Sequence, residues 1–252
     1  MNISTKEKPR CPYQKKIIDN VNSVLMSIHP EFKSLNPILS GTYLINLVVS
    51  PLAEYSDYDF YFQDAESYEK ADILLSACAA SRYASKNCIS FKMSNNSKQI
   101  QIIRSYYGSP GEIILNHDLV NSQIAFLNDN IYFTTGFIKS WMHDTLELNH
   151  FQIVQTMSAE QKLLKYSSTV FRLKKYLTRY NLNVSENTQT HLSALKIELI
   201  EKYSKNKDLV NLRKQDIHYN FQDIKVTVFS QLIMLIGYLI DQESTSYDIV
   251  PF

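Results

Sequence analysis

The sequence predicts an α+β protein: a mixed β-sheet flanked by helices over residues 1–135, then an all-α C-terminal domain over residues 136–252. Three observations predict it. Ser56–Phe62 (SDYDFYF) alternates polar and aromatic residues with the two-residue period of a strand. Ile89–Met93 and Gln99–Arg104 are extended apolar runs on either side of Ser94–Ser97 (SNNS), the pattern of a hairpin with a longer turn. Beyond Gly136 the strand signals disappear, and Ser158–Tyr180, Thr188–Tyr203 and Phe221–Ile240 show helical spacing.

In chain order, Tyr13–Ile28 reads as an amphipathic helix with Ile17, Val21, Val24 and Leu25 on one side, ended by His29-Pro30. Asn36–Leu39 is a short strand leading to Gly41. Thr42–Val49 mixes β-branched and leucine residues; a short helix stopped by Pro51 is the reading adopted, because a helix N-terminus after a glycine suits anion binding. Asp57–Gln63 is a strand. Glu66–Ala80 is a helix with Glu66 and Glu69 in its first turn, where the helix dipole favours acids. Gly108-Ser109-Pro110-Gly111 breaks the chain before a helical turn, Asp118–Ala125 reads as helical and Ile131–Thr134 as extended.

Composition sets the class. With 252 residues, 44% hydrophobic and 20% charged, the chain can bury a core and is not of disordered type. A net charge of +1 supplies no global attraction to nucleic acid. Cys11, Cys78 and Cys88 form no CxxC pair and leave an odd count, so reduced thiols and a cytoplasmic location are expected. The N-terminus lacks the apolar segment of a secretory signal, and Val228–Ile240, the longest apolar stretch, is interrupted by Ser230 and Gln231. No membrane attachment is expected. Serine-nucleophile, P-loop and dinucleotide fingerprints are missing from the sequence.

The chemistry concentrates in residues 40–59. On a strand, Asp57 and Asp59 project to one face about 6–7 Å apart, a spacing from which two carboxylates can grip a hard divalent cation. Upstream lies Ser40-Gly41-Thr42, whose glycine is the only one in the first hundred residues. A glycine turn before an acidic strand suggests phosphate held by backbone amides beside a metal held by carboxylates. The bland readings are a solvated strand face for the acids and a helix cap for Thr42.

Gly41-Thr42 followed by SDYDFYF resembles the nucleotidyltransferase superfamily, the polymerase-β-like fold, in which a Gly-Ser or Gly-Gly turn precedes a strand bearing Asp-x-Asp. His117–Phe126 (HDLVNSQIAF) looks like the Arg-Asp-Phe-Thr-Ile-Asn-Ala-Leu segment of CCA-adding enzymes and bacterial poly(A) polymerases. Gln161–Tyr166, continuing to Arg172 and Tyr180, is similar to the helix that begins their neck. The resemblance spans about residues 38–180. It implies transfer of a nucleoside monophosphate from an NTP to an acceptor hydroxyl, an RNA 3′ end or tRNA-like RNA first and a protein or small molecule otherwise. It implies Mg2+ (or Mn2+) on Asp57 and Asp59, phosphates on Ser40, Gly41 and Thr42, and Asp118 at the ribose or a second metal. Lys165 and Arg172 are the implied phosphate cations.

Two features qualify the match. The later strand where such enzymes carry a third carboxylate is here Gln99-Ile100-Gln101-Ile102-Ile103, with amides instead of acids, so a catalytically inactive nucleotide- or partner-binding domain is the competing expectation. Ser158 and Gln161 form a capping box, after which Leu163, Tyr166, Val170, Leu173 and Leu177 share one helix face and Lys162, Lys165, Arg172, Lys175 and Arg179 the other. That cationic face is either solvated surface or a wall for phosphates, to which Lys92 and Arg104 of the hairpin would add. His143 and His150 carry no metal pattern.

Overall fold

The computed structural model describes residues 12–49, 57–94, 98–149, 169, 172–173 and 175–191. Its elements are α1 (Pro12–Ile28), a 3-10 turn (Phe32–Leu35), β1 (Ile38–Ser40), α2 (Thr42–Val49), β2 (Asp57–Phe62), α3 (Ala65–Cys78), β3 (Ala79–Ala84), β4 (Cys88–Met93) and β5 (Gln99–Tyr107). They continue with α4 (Pro110–Leu115), a second 3-10 turn (Val120–Ser122), β6 (Ile124–Leu127), β7 (Asn130–Phe133), α5 (Thr135–Met142), β8 (Thr145–Leu146) and β9 (Asn183–Val184). Described residues through Met142 form one compact unit, and those from His143 onward belong to a second.

The first unit is a seven-stranded sheet in the order β3-β4-β5-β2-β1-β6-β7, with every neighbouring pair antiparallel except β2 and β5. Alternation along β2 sorts its side chains cleanly. Tyr58, Phe60 and Phe62 are buried, while Asp57, Asp59 and Tyr61 on the other face are half-buried. The buried face packs as a run of aromatic edges: Phe32 meets Phe60 at a centroid distance of 5.0 Å and Phe62 at 6.3 Å, Phe62 meets Tyr68 of α3 at 6.1 Å, and Tyr43 of α2 meets Tyr58 at 4.9 Å. On the opposite face, Ile113 and Ile114 of α4 pack with Ile38, Ala125, Leu127 and Tyr61, covering one end of the sheet there.

Local chemistry explains the element ends. Asp64 caps α3 by accepting the Ser67 N–H at 2.7 Å, and this bond holds its carboxyl below the usual range. At α4, Ser109 accepts the Glu112 N–H at 3.4 Å while the Glu112 carboxylate accepts the Ser109 N–H at 2.8 Å, a capping box with Pro110 at the first turn. The Ser109 hydrogen bonds hold the Glu112 carboxyl below its ordinary value. A depressed folded-state pKa stabilises the fold above the unfolded-state value, and the contribution is lost as pH falls through the folded one. Ser109→Ala is therefore expected to lower stability by about 1 kcal/mol in urea melts at pH 7, and the gap between wild type and Glu112→Gln is expected to close on acidification below about pH 4.

Three expectations are corrected. The segment 118–125 is not helical: it forms the 3-10 turn and then β6, each residue of which is buried because β1 and β7 flank it and both its faces are covered. The helix expected to run to Ala80 stops at Cys78, and Ala79–Ala84 becomes β3, an exposed edge strand paired with β4. Strands do recur after Gly136, since β8 and β9 form a short parallel pair with Thr145 opposite Asn183. Helix α5 follows β7 directly and belongs with Met1–Met142, and the second compact unit starts at His143. Residues 175–180 and 186–191 are helical. The helix start at Ser158, the Phe221–Ile240 helix, and Cys11, Pro51 and His150 lie outside the described residues.

Candidate functional site

The site grows from two neighbouring strands and the turn between β1 and α2. Ser40 at the end of β1 pairs with Asp59 of β2. Gly41 then turns the chain with φ 81°, a left-handed conformation that glycine adopts without penalty, and α2 starts at Thr42. The Gly41 carbonyl accepts the Ile45 N–H at 3.2 Å, so the turn is built into the first turn of the helix. Helix N-termini present N–H groups that are not bonded within the helix and favour anions there.

Gly41 and Asp59 are in contact. A Cβ placed on Gly41 would overlap the Asp59 Oδ2 and lie 3.1 Å from its Cγ and 3.2 Å from its Cβ. The absent side chain is the space that the carboxylate occupies, which ties the glycine turn to the acidic strand. Asp57, two residues back along β2, shares the face of Asp59, and both are half-buried.

Register extends this face sideways. In the parallel β2–β5 pair, Gln99 stands beside Asp57 and Gln101 beside Asp59. In the next pair, Lys92 stands beside Gln99 and Ser90 beside Gln101, and Tyr83 of β3 stands beside Ser90. The amides therefore occupy the nearest lateral positions to both acids. Lys92 is exposed and shares this face. Among the described residues, no three His, Cys, Asp or Glu side chains gather as a cation-binding group.

Asp118 lies in the segment between α4 and the second 3-10 turn. His117 packs on Tyr61, which lies on the same face of β2 as the acids, at a centroid distance of 5.9 Å. Its Nδ1–H donates to the Ser122 carbonyl at 2.6 Å, and this bond closes the 117–122 segment on itself. Asp118 is buried in that segment, 8% exposed.

The remaining expected residues are distributed as follows. Ser40 is fully buried and its Oγ donates to the Ile124 carbonyl at 2.6 Å, so the hydroxyl ties β1 to β6. Thr42 is half-buried at the start of α2. Arg172 and Lys175 are exposed and Arg179 half-buried in the second unit, whereas Lys162 and Lys165 lie outside the described residues. The Arg104 Nε donates to the Lys86 carbonyl at 2.6 Å and its Nη2 to the Ser85 carbonyl at 2.7 Å, clamping the β3–β4 loop. Gln99, Gln101 and Lys92 are already singled out by the sequence; Ser90 is not, and the hairpin spacing of residues 88–104 is the signal that could have placed it.

The fold is similar to that of several solved RNA-processing enzymes. Similar solved structures include a tRNA-processing enzyme in an apo form, at 12% identity and a TM-score of 0.53 over 96% of this chain and 62% of that one. A CCA-adding enzyme in complex with ATP is similar at 14% identity and a TM-score of 0.53, over 92% of this chain and 57% of that one. A CCA-adding enzyme with CTP is similar at 12% identity and 0.51, over 75% and 44%. The chain thus spans roughly half the length of these enzymes. No curated protein sequence matches the chain. No helix among the described residues is long and apolar enough to cross a membrane. Residues 13–143, just over half of the chain, match the family model described as Gabija anti-defense 2 family protein, and the chain belongs to that family.

Proposed function

We propose that this chain is a metal-dependent nucleotidyltransferase that moves a nucleoside monophosphate from an NTP to an acceptor hydroxyl, with pyrophosphate leaving. The observation that carries the reading is the contact between the Asp59 carboxylate and Gly41, a glycine of positive φ at the head of α2. It sets the turn we assign to phosphate directly against the acid we assign to the cation. Asp57 and Asp59 fit a Mg2+ or Mn2+ ion as a pair of hard oxygen donors on one strand face. Such an ion, when bound, offsets the negative charge that spreads over the transferred phosphoryl group. Gly41 and Thr42 are assigned to the β- and γ-phosphates through backbone amides, Ser40 to the shape of their turn, and Asp118 to the ribose.

The acceptor we favour is an RNA 3′ end, on the strength of the CCA-adding and tRNA-processing enzymes that share the fold. The family description ties its members to countering Gabija defence, and nucleotidyl transfer is our proposed means. The test is incubation of the purified protein with each labelled NTP, Mg2+ or Mn2+, and total RNA or total protein. Label in RNA that disappears when 3′ ends are oxidised with periodate supports the reading; label in protein moves the acceptor to a side-chain hydroxyl.

A second reading is favoured by one observation, the amides Gln99 and Gln101 beside the acids. In that reading the domain binds a nucleotide or a partner without turnover. Saturable nucleotide binding with no incorporation into either pool would establish it, and no binding at all would remove both readings.

A further inference from the structure

We propose that Gln101 makes this a one-cation site. The inference rests on the assignment of Asp57 and Asp59 as the metal-binding pair. Two-metal sites that clamp both attacking and leaving oxygens hold their ions about 3.5–4 Å apart. Four positive charges at that separation need anionic ligands on both sides.

Here the two sides of Asp59 differ. Toward β1, Asp59 meets Ser40 and Gly41. Toward β5, the register puts Gln101 beside Asp59 and Gln99 beside Asp57, at the close lateral spacing of paired strands, about 5 Å. Position 101 is therefore the nearest lateral position to Asp59 on that side, and it shares the face of Asp59. An amide oxygen offers a lone pair there without charge. The next strand does not compensate, because Ser90 and Lys92 follow Gln101 and Gln99 on the same face, and Lys92 adds a positive charge. Strands β3, β4 and β5 contain no Asp or Glu at all. Asp118 belongs to the segment that follows α4, and α4 packs on Ile38 of β1, Ala125 and Leu127 of β6 and Tyr61 of β2. One ion shared by the acid pair and a triphosphate is balanced by this set; a second ion beside Asp59 is not.

The experiment counts ions. The protein is titrated with Mn2+ in the presence of a non-hydrolysable ATP analogue, and bound Mn2+ is followed by electron paramagnetic resonance and calorimetry. Wild type is expected to hold one Mn2+ per chain with the spectrum of an isolated ion. Gln101→Asp or Gln101→Glu is expected to hold two, with the exchange-coupled spectrum of a close pair, and thermal melts verify that the variants fold. A coupled pair in wild type, or a single ion in both folded variants, overturns the inference and leaves the assignment of Asp57 and Asp59 standing. Retention of the one Mn2+ after Asp57→Asn, or no Mn2+ and no analogue bound by wild type, overturns the assignment itself and the inference with it.

Discussion

Asp59→Asn is expected to lower nucleotidyl transfer by about 10²–10³-fold while shifting the melting temperature by no more than a few degrees. The size follows from charge. A cation at the transferred phosphoryl group supplies several kcal/mol of transition-state stabilisation, and each ~1.4 kcal/mol is a factor of ten in rate. Asn keeps the shape of Asp but removes the charge proposed to hold the ion. The fold has little to lose, because Asp59 is half-buried on the face of β2 opposite the aromatic core of Tyr58, Phe60 and Phe62. Two acids on one strand face also repel each other, so removing one charge relieves a small unfavourable term. Asp57→Asn is expected to behave alike. Single-turnover rates with saturating NTP, paired with thermal melts, check both; a variant that unfolds instead of losing rate would show the acids to be structural.

Gly41→Ala carries two penalties at once. At φ 81° an L-residue is strained by roughly 1–2 kcal/mol, and the new methyl falls on the Asp59 carboxylate. Either the turn or the carboxylate must move. The expected outcome is a stability loss of at least about 1 kcal/mol together with a nucleotide affinity reduced tenfold or more. Gly111→Ala is the matched control: it lies inside α4 without a positive φ, and its nearest neighbour, the Ser109 Oγ, is 4.0 Å from a built Cβ. There the helix should gain about 0.5–1 kcal/mol, the ordinary benefit of replacing a helical glycine. Combining Gly41→Ala with Asp59→Ala separates the two penalties. Relief of part of the stability loss in the double variant identifies the overlap, and the remainder is backbone strain. Urea melts and analogue titrations of wild type, Gly41→Ala, Asp59→Ala, the double variant and Gly111→Ala supply the numbers.

The site's two central parts were legible because each carries its own local signal. Alternation in DYDFYF needs nothing beyond the strand period, and α2 spans Thr42–Val49 as expected from a glycine followed by a run of apolar residues. What local pattern could not supply was the lateral neighbour. Gln101 beside Asp59 is a statement about register between strands far apart in sequence, and that register emerges only when the sheet assembles. The misreading of 118–125 has a different cause. β6 lies between two strands and is covered on both faces, so its alternation vanishes and IAFL resembles a stretch of buried helix. Its turn did carry a signal: Asn128 and Asp129 both adopt positive φ, at 47° and 62°, as a two-residue hairpin requires, with Leu127 and Asn130 paired across it. β3 was missed because Ala79-Ala80 continues the alanine-rich composition of α3, and an exposed edge strand has no buried face to mark it. Its place is held partly by Arg82, whose guanidinium bridges both oxygens of Asp72 on α3 at 3.0 and 2.9 Å.

The parallel contact between β2 and β5 also has a consequence for biosynthesis. Both acids leave the ribosome well before Gln99, yet the strand that completes their neighbourhood is translated after α3 and the β3–β4 hairpin. A nascent chain halted ahead of Gln99 therefore holds β2 with one edge unfilled, a template for pairing with other chains. Competence to bind a nucleotide should appear abruptly in a series of stalled lengths, only after Tyr107 has cleared the exit tunnel.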